Sequence, residues 1–388
     1  MVIFPEEGRQ QDGLISLYFH IPFCTKKCHY CHFFVLLDKP DLHQQLFEGL
    51  CLEIDQWMDE LRGKQLVSIY FGGGTPSLFD PSLVNRLLEH VNRRIPFDKN
   101  TIEITLEANP ETITPEKMNR FRLAGINRVS IGIQTLDDLL LKKLGRSHGA
   151  ETALDSVKKT ADAGISNISI DLMYDIPGQT LKSWKLTLEQ IAKLPITHLS
   201  LYNLTIEPQT VFFKYRESLQ KELPDADSST DMFQSAIMHM KEMGLEPYEI
   251  SAFARTGFHS RHNVGYWTGR PFLGFGPSAF SYWKNRRFRS VPQFNRYIKA
   301  LKEHQHPTDF SEELTPLKRR RELLTIALRL RQGVDLTLFE ERNGTLDLET
   351  HSAIRSLISE NFLTQSDKRV FLTEKGILFY DTVAVELI

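Results

Sequence analysis

The sequence predicts an α/β chain: a partial (β/α)6 TIM-like barrel followed by a C-terminal α+β domain of winged-helix-like type. Three observations carry that expectation. Through the first half, short β-branched runs alternate with longer amphipathic patterns. After about Glu217 the alternation stops. From Leu314 helical patterns return, with a strand-like tail at Arg369–Leu372.

Leu14–His20 reads as the first strand. Asp41–Leu61 reads as a helix with Leu46, Leu50, Ile54, Trp57, Met58 and Leu61 on one stripe. Further strands are expected at Val67–Phe71, Thr101–Ala108, Arg128–Gln134, Asn167–Tyr174 and His198–Thr205. Helices are expected at Pro81–Val91, Pro115–Ala124, Ala150–Ala163 and Leu181–Leu194. Pro81 starts its helix where a missing N–H costs little. Repeated βα units imply parallel strands with helices outside them. Six units fall short of the eight that close a barrel, so an open one is expected, with its chemistry at the C-terminal strand ends. Asp231–Met243 reads as a helix, and Ser251–Tyr282 as a Gly-, aromatic- and His-rich stretch of little periodicity. The chain accordingly divides into an N-terminal segment (1–13), the barrel (14–215), a barrel extension (216–310) and the C-terminal domain (311–388).

The 388 residues suit a barrel plus a smaller domain. A formal charge of -2 calls for no polyanionic partner, so no nucleic acid is expected. The basic runs Lys318–Arg321 and Arg286–Arg289 read as solvated faces. Met1–Glu7 lacks the basic and apolar regions of a signal peptide. No apolar run approaches the ~18 residues of a membrane span. Three of the four cysteines fall within eight residues, which suggests a metal site rather than a disulfide framework, in a reducing cytoplasm. Cys51, between Leu50 and Ile54, reads as core.

The cysteine cluster is Cys24-x3-Cys28-x2-Cys31, directly after the first strand. Three thiolates on one loop can ligate three irons of a [4Fe–4S] cluster and leave the fourth iron open. S-adenosylmethionine can chelate that iron through its amino and carboxylate groups. One electron from the reduced cluster, recharged by an electron donor, then breaks a sulfonium C–S bond and leaves a 5′-deoxyadenosyl radical. The competing reading is structural zinc, completed by His29, His32 or His20. The spacing after a strand, with Tyr30 before the last cysteine, favours the cluster.

Other unusual residues fall at the remaining strand ends. Gly72-Gly73-Gly74-Thr75-Pro76 lets a ligand approach the backbone after the second strand. Glu107 ends the third strand, Gln134 the fourth, Arg146 follows in Gly-Arg-Ser-His, and Asp171 lies in the fifth. Each alone reads as a structural hydrogen bonder, because a charge in an apolar strand needs a partner. Together at one barrel mouth they read as ligand contacts. His262-Asn263-Val264-Gly265-Tyr266-Trp267 reads either as a packed turn or as a contact to a flat, iron-bearing ring.

Tyr18-Phe19-His20-Ile21-Pro22-Phe23-Cys24, the cysteine triplet, Gly-Gly-Gly-Thr-Pro, Ser-Ile-Gly-Ile-Gln and Ile-Asp-Leu-Met-Tyr together resemble the radical SAM proteins similar to oxygen-independent coproporphyrinogen III oxidase. The resemblance implies S-adenosylmethionine contacts at Tyr18, Tyr30, Gly73, Gly74, Thr75, Glu107, Gln134, Arg146 and Asp171. The oxidase is expected to carry a further cysteine where this chain has Phe33, and a longer segment before the barrel. Both departures count against oxidation of a porphyrinogen. With the His262 motif, they resemble the heme chaperone branch of the family. That branch implies heme as a third bound group, His262 as a heme contact, delivery to an acceptor protein, and a cluster that promotes dimer formation or transfer. His20, His29, His32 and His259 stay open as alternative iron ligands. The alternative activity is decarboxylation of coproporphyrinogen III in porphyrin biosynthesis.

Overall fold

The computed structural model describes residues 13–388. The reading of Met1–Glu7, and all of the expected N-terminal segment except Gly13, lie outside the described residues. Six strands form the barrel wall: β1 (Leu14–Ile21), β2 (Gln65–Gly73), β3 (Glu103–Ala108), β4 (Arg128–Gln134), β5 (Asn167–Tyr174) and β6 (His198–Asn203). Each pairs in parallel with the next. The crossovers carry α1 (Pro40–Gln56), α2 (Pro81–Asn92), α3 (Pro115–Ala124), α4 (Asp138–Leu144), α5 (Ala150–Asp162) and α6 (Leu181–Ile191).

Local chemistry explains the helix starts. Pro40, Pro81 and Pro115 occupy first-turn positions that need no N–H donor. Asp80 accepts from Ser82 N, Thr114 from Lys117 N, and Thr180 forms a reciprocal capping box with Ser183. The first helix is shorter than expected. Trp57 leaves helical geometry (φ -104°, ψ 9°) and stacks on Phe288 with ring centres 5.4 Å apart, so Met58–Leu61 forms a separate turn.

The sheet is larger than the six strands expected. β7 (Glu246–Glu249), β8 (Ala252–Ala254), β9 (Phe272–Phe275), β10 (Phe280–Trp283), β11 (Arg286–Ser290) and β12 (Thr308–Glu313) extend it to twelve strands. The order is β12-β11-β10-β9-β1-β2-β3-β4-β5-β6-β8-β7, and the sheet stays open. β9 joins β1 in parallel, while β8 joins β6 antiparallel. The stretch of little periodicity therefore holds parts of both sheet edges. Its strands are only three or four residues long, too short to show a period. Around them lie α7 (Ala226–Glu242), α8 (Arg261–Trp267) and α9 (Phe294–Lys302).

The barrel strands alternate sharply. Ile15, Leu17 and Phe19 of β1 pack outward into the main core, which the helices cover. Ser16, Tyr18 and His20 point into the lumen. The same face of the other strands supplies Ser68, Tyr70, Arg128, Ser130, Ser169 and His198, and Ser16, Ser68, Arg128, Ser130, Ser169 and His198 are buried. Several of those groups satisfy one another: Ser68 bonds Ser16 at 2.9 Å and Ser169 bonds His198 at 2.8 Å. The barrel thus has an apolar shell around a polar bore.

One acid interrupts the apolar shell. Glu53 on α1 is 2% exposed and accepts hydrogen bonds from Gly276 N (2.8 Å), Ser290 Oγ (2.9 Å) and Tyr297 OH (2.7 Å). Burial pushes its carboxyl up to about 7 against those three donors. It fastens α1 to β11, α9 and the turn after β9.

The C-terminal part has its own core of Leu324, Leu328, Ile354, Leu357, Val370 and Val383, among others. It comprises α10 (Pro316–Ala327), α11 (Leu336–Asn343), α12 (Leu348–Ser359) and a three-stranded sheet. β13 (Val334–Asp335), β14 (Leu363–Ser366) and β15 (Arg369–Leu372) pair in the order β13-β15-β14. The helices with a small hairpin match the winged-helix-like expectation, although helix predominates. Within the basic runs Arg287 meets Glu312 and Glu322, Arg289 meets Asp309, and Arg321 meets Asp347 and Glu349. Among the described residues no helix is long and apolar enough to cross a membrane.

Candidate functional site

The cysteine loop leaves β1 through a short extended pair, Phe23–Cys24, which runs parallel to Leu36–Leu37. Three backbone bonds fix the loop to the scaffold. His29 N donates to Leu144 O at the end of α4, Phe212 N donates to His29 O, and Thr75 N donates to Phe23 O. The His29 Nδ1 also bonds Lys143 O at 2.9 Å. His29 is therefore an anchor of the loop.

Cys24, Cys28 and Cys31 face one cavity of about 410 Å³ at the C-terminal ends of β2 to β6. Tyr30, Gly73, Gly74, Thr75, Glu107, Gln134, Arg146 and Asp171 share its wall, so eight of the nine expected S-adenosylmethionine contacts converge. The ninth, Tyr18, sits one pleat deeper. Its hydroxyl bonds His20 Nδ1 at 3.1 Å and its ring stacks on Tyr70.

The glycine turn is tight. Gly73 has φ +115°, and a Cβ there would come within 2.6 Å of the His20 ring. A Cβ on Gly74 would stand 2.6 Å from Phe23 O, under the cysteine loop. Gln134 adopts φ +69° at the end of β4, an uncommon left-handed conformation for a non-glycine residue. That conformation accompanies an irregular register between β4 and β5 and leaves Gln134 on the cavity wall.

Arg146 crosses the site. Its guanidinium reaches Asn109 Oδ1 at 2.9 Å, the Gly132 carbonyl, and Cys28 Sγ at 3.6 Å. Asn109 passes the bond on to Thr75 Oγ1 (3.1 Å), which lies 3.4 Å from Cys24 Sγ. A cation and a hydroxyl thus stand beside two of the three sulfurs. Burial pushes the bare Cys24 thiol up to about 11 and raises that of Cys31. A metal that binds thiolate supplies the charge that this pocket otherwise disfavours. Among the described residues no three His, Cys, Asp or Glu side chains converge as a single-ion site. Three thiols spread over one loop fit a multi-iron cluster, whose irons take one thiolate each.

The acids face the cavity from below. Glu107 accepts from Tyr70 OH and Gly73 N, and burial, reinforced by Asp171, pushes its carboxyl up to about 7. Asp171 is likewise raised by burial, with Ser130 Oγ at 3.2 Å. Both suit a cationic ligand, which would draw them into the ionised form.

His262 lies elsewhere. It is 1% exposed on α8, below the bore rather than at its mouth. Nδ1 bonds Ser68 Oγ at 3.0 Å and Nε2 bonds Tyr266 OH at 2.8 Å. The Arg261 and His262 N–H groups both donate to the Glu103 carboxylate at the start of β3. Burial holds its imidazole well below the usual range, so the ring is neutral. Neither nitrogen is open to an iron. The motif His262–Trp267 lies on α8 at the barrel floor, with both ring nitrogens of His262 engaged. Asn109, Ser130, Met173, Tyr202 and Asn203 also line the cavity and were not named as site residues from sequence. Asn109 stands at a strand end beside Glu107, and Ser130 and Met173 lie within the quoted motifs, whereas Tyr202 and Asn203 carried no signal.

Sequence comparison gives the same picture. The radical SAM superfamily matches residues 18–191, and the HemN C-terminal domain matches residues 314–379. A protein of Bacillus subtilis (strain 168) named heme chaperone HemW is 32% identical over 369 residues, 95% of this chain and 97% of its own. The chain belongs to the HemW family. A second heme chaperone HemW, from Haemophilus influenzae, is 34% identical over 94% of this chain and 95% of its own. The solved structure of coproporphyrinogen III oxidase (HemN) from Escherichia coli superposes with a TM-score of 0.85, covering 98% of this chain and 92% of that one. Its identity is 22%, so it establishes the shared fold. As a HemW-family protein within the radical SAM superfamily, the chain is expected to use a [4Fe–4S] cluster and S-adenosylmethionine, and the cavity residues fit both.

Proposed function

We propose that this protein is a heme chaperone on a radical SAM scaffold, which binds heme and passes it to an acceptor protein. The observation that carries this reading is the near-full-length likeness to curated heme chaperones, across both the barrel and the C-terminal domain. Phe33 supports it, since it stands exposed on the cavity wall where the oxidase resemblance calls for a cysteine.

In this reading Cys24, Cys28 and Cys31 hold the [4Fe–4S] cluster. The glycine turn, Thr75, Glu107, Gln134, Arg146 and Asp171, with Tyr18 and Tyr30, hold S-adenosylmethionine. The cluster, when bound, supplies an open iron and a one-electron reductant that an external donor recharges. The chain's own residues orient and shield: Arg146 and Thr75 hold positive charge and a hydroxyl against the sulfurs, and Tyr30 packs with Leu140, Leu144 and Phe212 to exclude water. Dimer formation under control of the cluster, and a cytoplasmic setting, belong to the same proposal.

The test is heme binding by anaerobically reconstituted protein, read as a shifted Soret band, followed by transfer to an apo-hemoprotein. Absence of binding both with and without the cluster would sink the reading. The intact pocket also keeps a second reading in play, oxidation of coproporphyrinogen III. Multiple turnovers with S-adenosylmethionine and a reductant would replace the first reading with the second. Cys28→Ala should remove iron and sulfide while leaving the far-ultraviolet circular dichroism spectrum unchanged.

A further inference from the structure

The polar bore holds a cation that the cavity wall does not show. Arg128 opens β4 and is 1% exposed. Val129 and Ile131 turn outward into the main core, so Arg128 and Ser130 share the inward face of the strand. Ser130 stands level with Glu107 of β3 in the sheet register, and its hydroxyl lies 3.2 Å from Asp171 Oδ1. Arg128 stands one pleat below, level with Thr105. It therefore sits under the two acids of the cavity, on the side away from the cysteines.

Its charge has no bonded partner in the bore. Nε is buried without a hydrogen bond, and so is Oγ1 of Thr105 beside it. Glu103, one pleat nearer the floor, is taken up by the Arg261 and His262 N–H groups. A buried cation without a partner is costly, so a group that can ionise against it gains by doing so. Four of the neighbours that sense Arg128 cannot. Burial raises Tyr70 and Tyr248 and lowers His198 and His262, so all four stay uncharged between about pH 6 and 9. Burial also raises Glu107 and Asp171, and in both Arg128 works against burial.

We propose that Arg128 is a positioning residue for S-adenosylmethionine: the fixed cation beneath the pocket that lets Glu107 and Asp171 ionise together against the ligand's positive charge. This rests on the reading of the cavity as the S-adenosylmethionine site. Two neighbouring carboxylates repel each other, and a cation behind them offsets that cost. Arg128 acts only through the acids, and it also repels the ligand's sulfonium across them. Its removal therefore has opposite consequences at the two ends of the pH range. At low pH the acids become harder to ionise and binding weakens. At high pH both are ionised regardless, and only the lost repulsion remains.

The experiment measures S-adenosylmethionine affinity by calorimetry on anaerobically reconstituted full-length protein, Arg128→Met and Arg128→Gln, from about pH 6 to 9. Far-ultraviolet circular dichroism and iron content confirm that each variant is folded and loaded. The ratio of dissociation constants, variant over unaltered, should fall about tenfold across that range, as a rise of one unit in carboxyl titration requires. Both variants should show the same fall, because they share the loss of charge and differ in shape. A ratio that stays constant with pH overturns the inference and leaves the cavity reading standing. A fall in one variant alone overturns it too, since shape would then be the cause. Should neither variant fold, infrared difference spectra of the unaltered protein decide. Ligand binding at about pH 5 should remove the protonated-carboxyl stretch of two groups, one of them missing in Glu107→Gln. Loss from a single group overturns the joint ionisation. No S-adenosylmethionine binding by the unaltered protein overturns both the inference and the reading beneath it.

Discussion

Tyr70 donates to Glu107 Oε1 at 2.7 Å, while Gly73 N–H holds Oε2 at 3.1 Å. Both bonds orient the carboxylate toward the cavity from the ends of β2 and β3. They also favour its charge, yet burial outweighs them and leaves the group titrating at about 7. Glu107 is thus poised to ionise when a cation arrives.

The affinity for S-adenosylmethionine should accordingly depend on pH. Below about pH 7 the ligand-free carboxyl is protonated, and binding the cationic ligand must release that proton. The dissociation constant should fall as pH rises from about 6 to 7 and level off above. Calorimetry in two buffers of different ionisation enthalpy would show the proton release at pH 6. Glu107→Gln should show neither the slope nor the release.

Arg146→Lys should not be conservative. The planar guanidinium reaches a carbonyl, an amide and a sulfur at once, which a single ammonium cannot do. The expected result is a roughly 10- to 100-fold loss in cluster or S-adenosylmethionine affinity, the range for partners that orient metal ligands. Iron and sulfide analysis after gel filtration, with ligand titration, would measure it. Full retention of both would show that charge alone suffices.

Glu53 sets a slope in stability. Its carboxyl titrates at about 7 when folded and near the ordinary 4.5 when unfolded. Between those values the folded chain holds the extra proton, so this group's contribution is present at low pH and is lost as pH rises through 7. The loss amounts to roughly 3 kcal/mol by pH 8. Urea midpoints at pH 5 and pH 8 should differ by less in Glu53→Gln than in the unaltered chain. An equal difference in both would assign the slope to other groups.

His262→Ala should act on folding rather than on heme. Removing the ring strips Ser68 and Tyr266 of partners and opens a hole in the barrel floor, a cost of about 3 kcal/mol. Thermal denaturation should register that loss. The Soret band of the protein that remains folded should be unchanged. A changed spectrum would return His262 to the list of heme contacts.

Much of this was legible from residues. The barrel strands showed because β-branched runs such as Asn167–Tyr174 stand between helices with clear caps and starting prolines. The site showed because its residues sit at strand ends, where one topology gathers them. Glu53 was silent: a glutamate on an apolar helix looks like surface until its three donors arrive from β11, α9 and the turn after β9, more than two hundred positions away. The surroundings of His262 were silent for a related reason. Neighbouring Tyr and Trp suit a ring-binding site and a packed turn equally, and its partners Ser68 and Glu103 are distant in sequence. The edge strands were too short to declare a period.

The floor helix α8 and the cysteine loop stand at opposite ends of the bore. Glu103 holds the first turn of α8 from within, and Arg270 bonds Ser16 beside it. The cavity residues gather at the other end, under the cysteines. A substitution that loosens the floor therefore disturbs the bore from the side away from the thiols, so damage to the scaffold and damage to the cavity can be told apart.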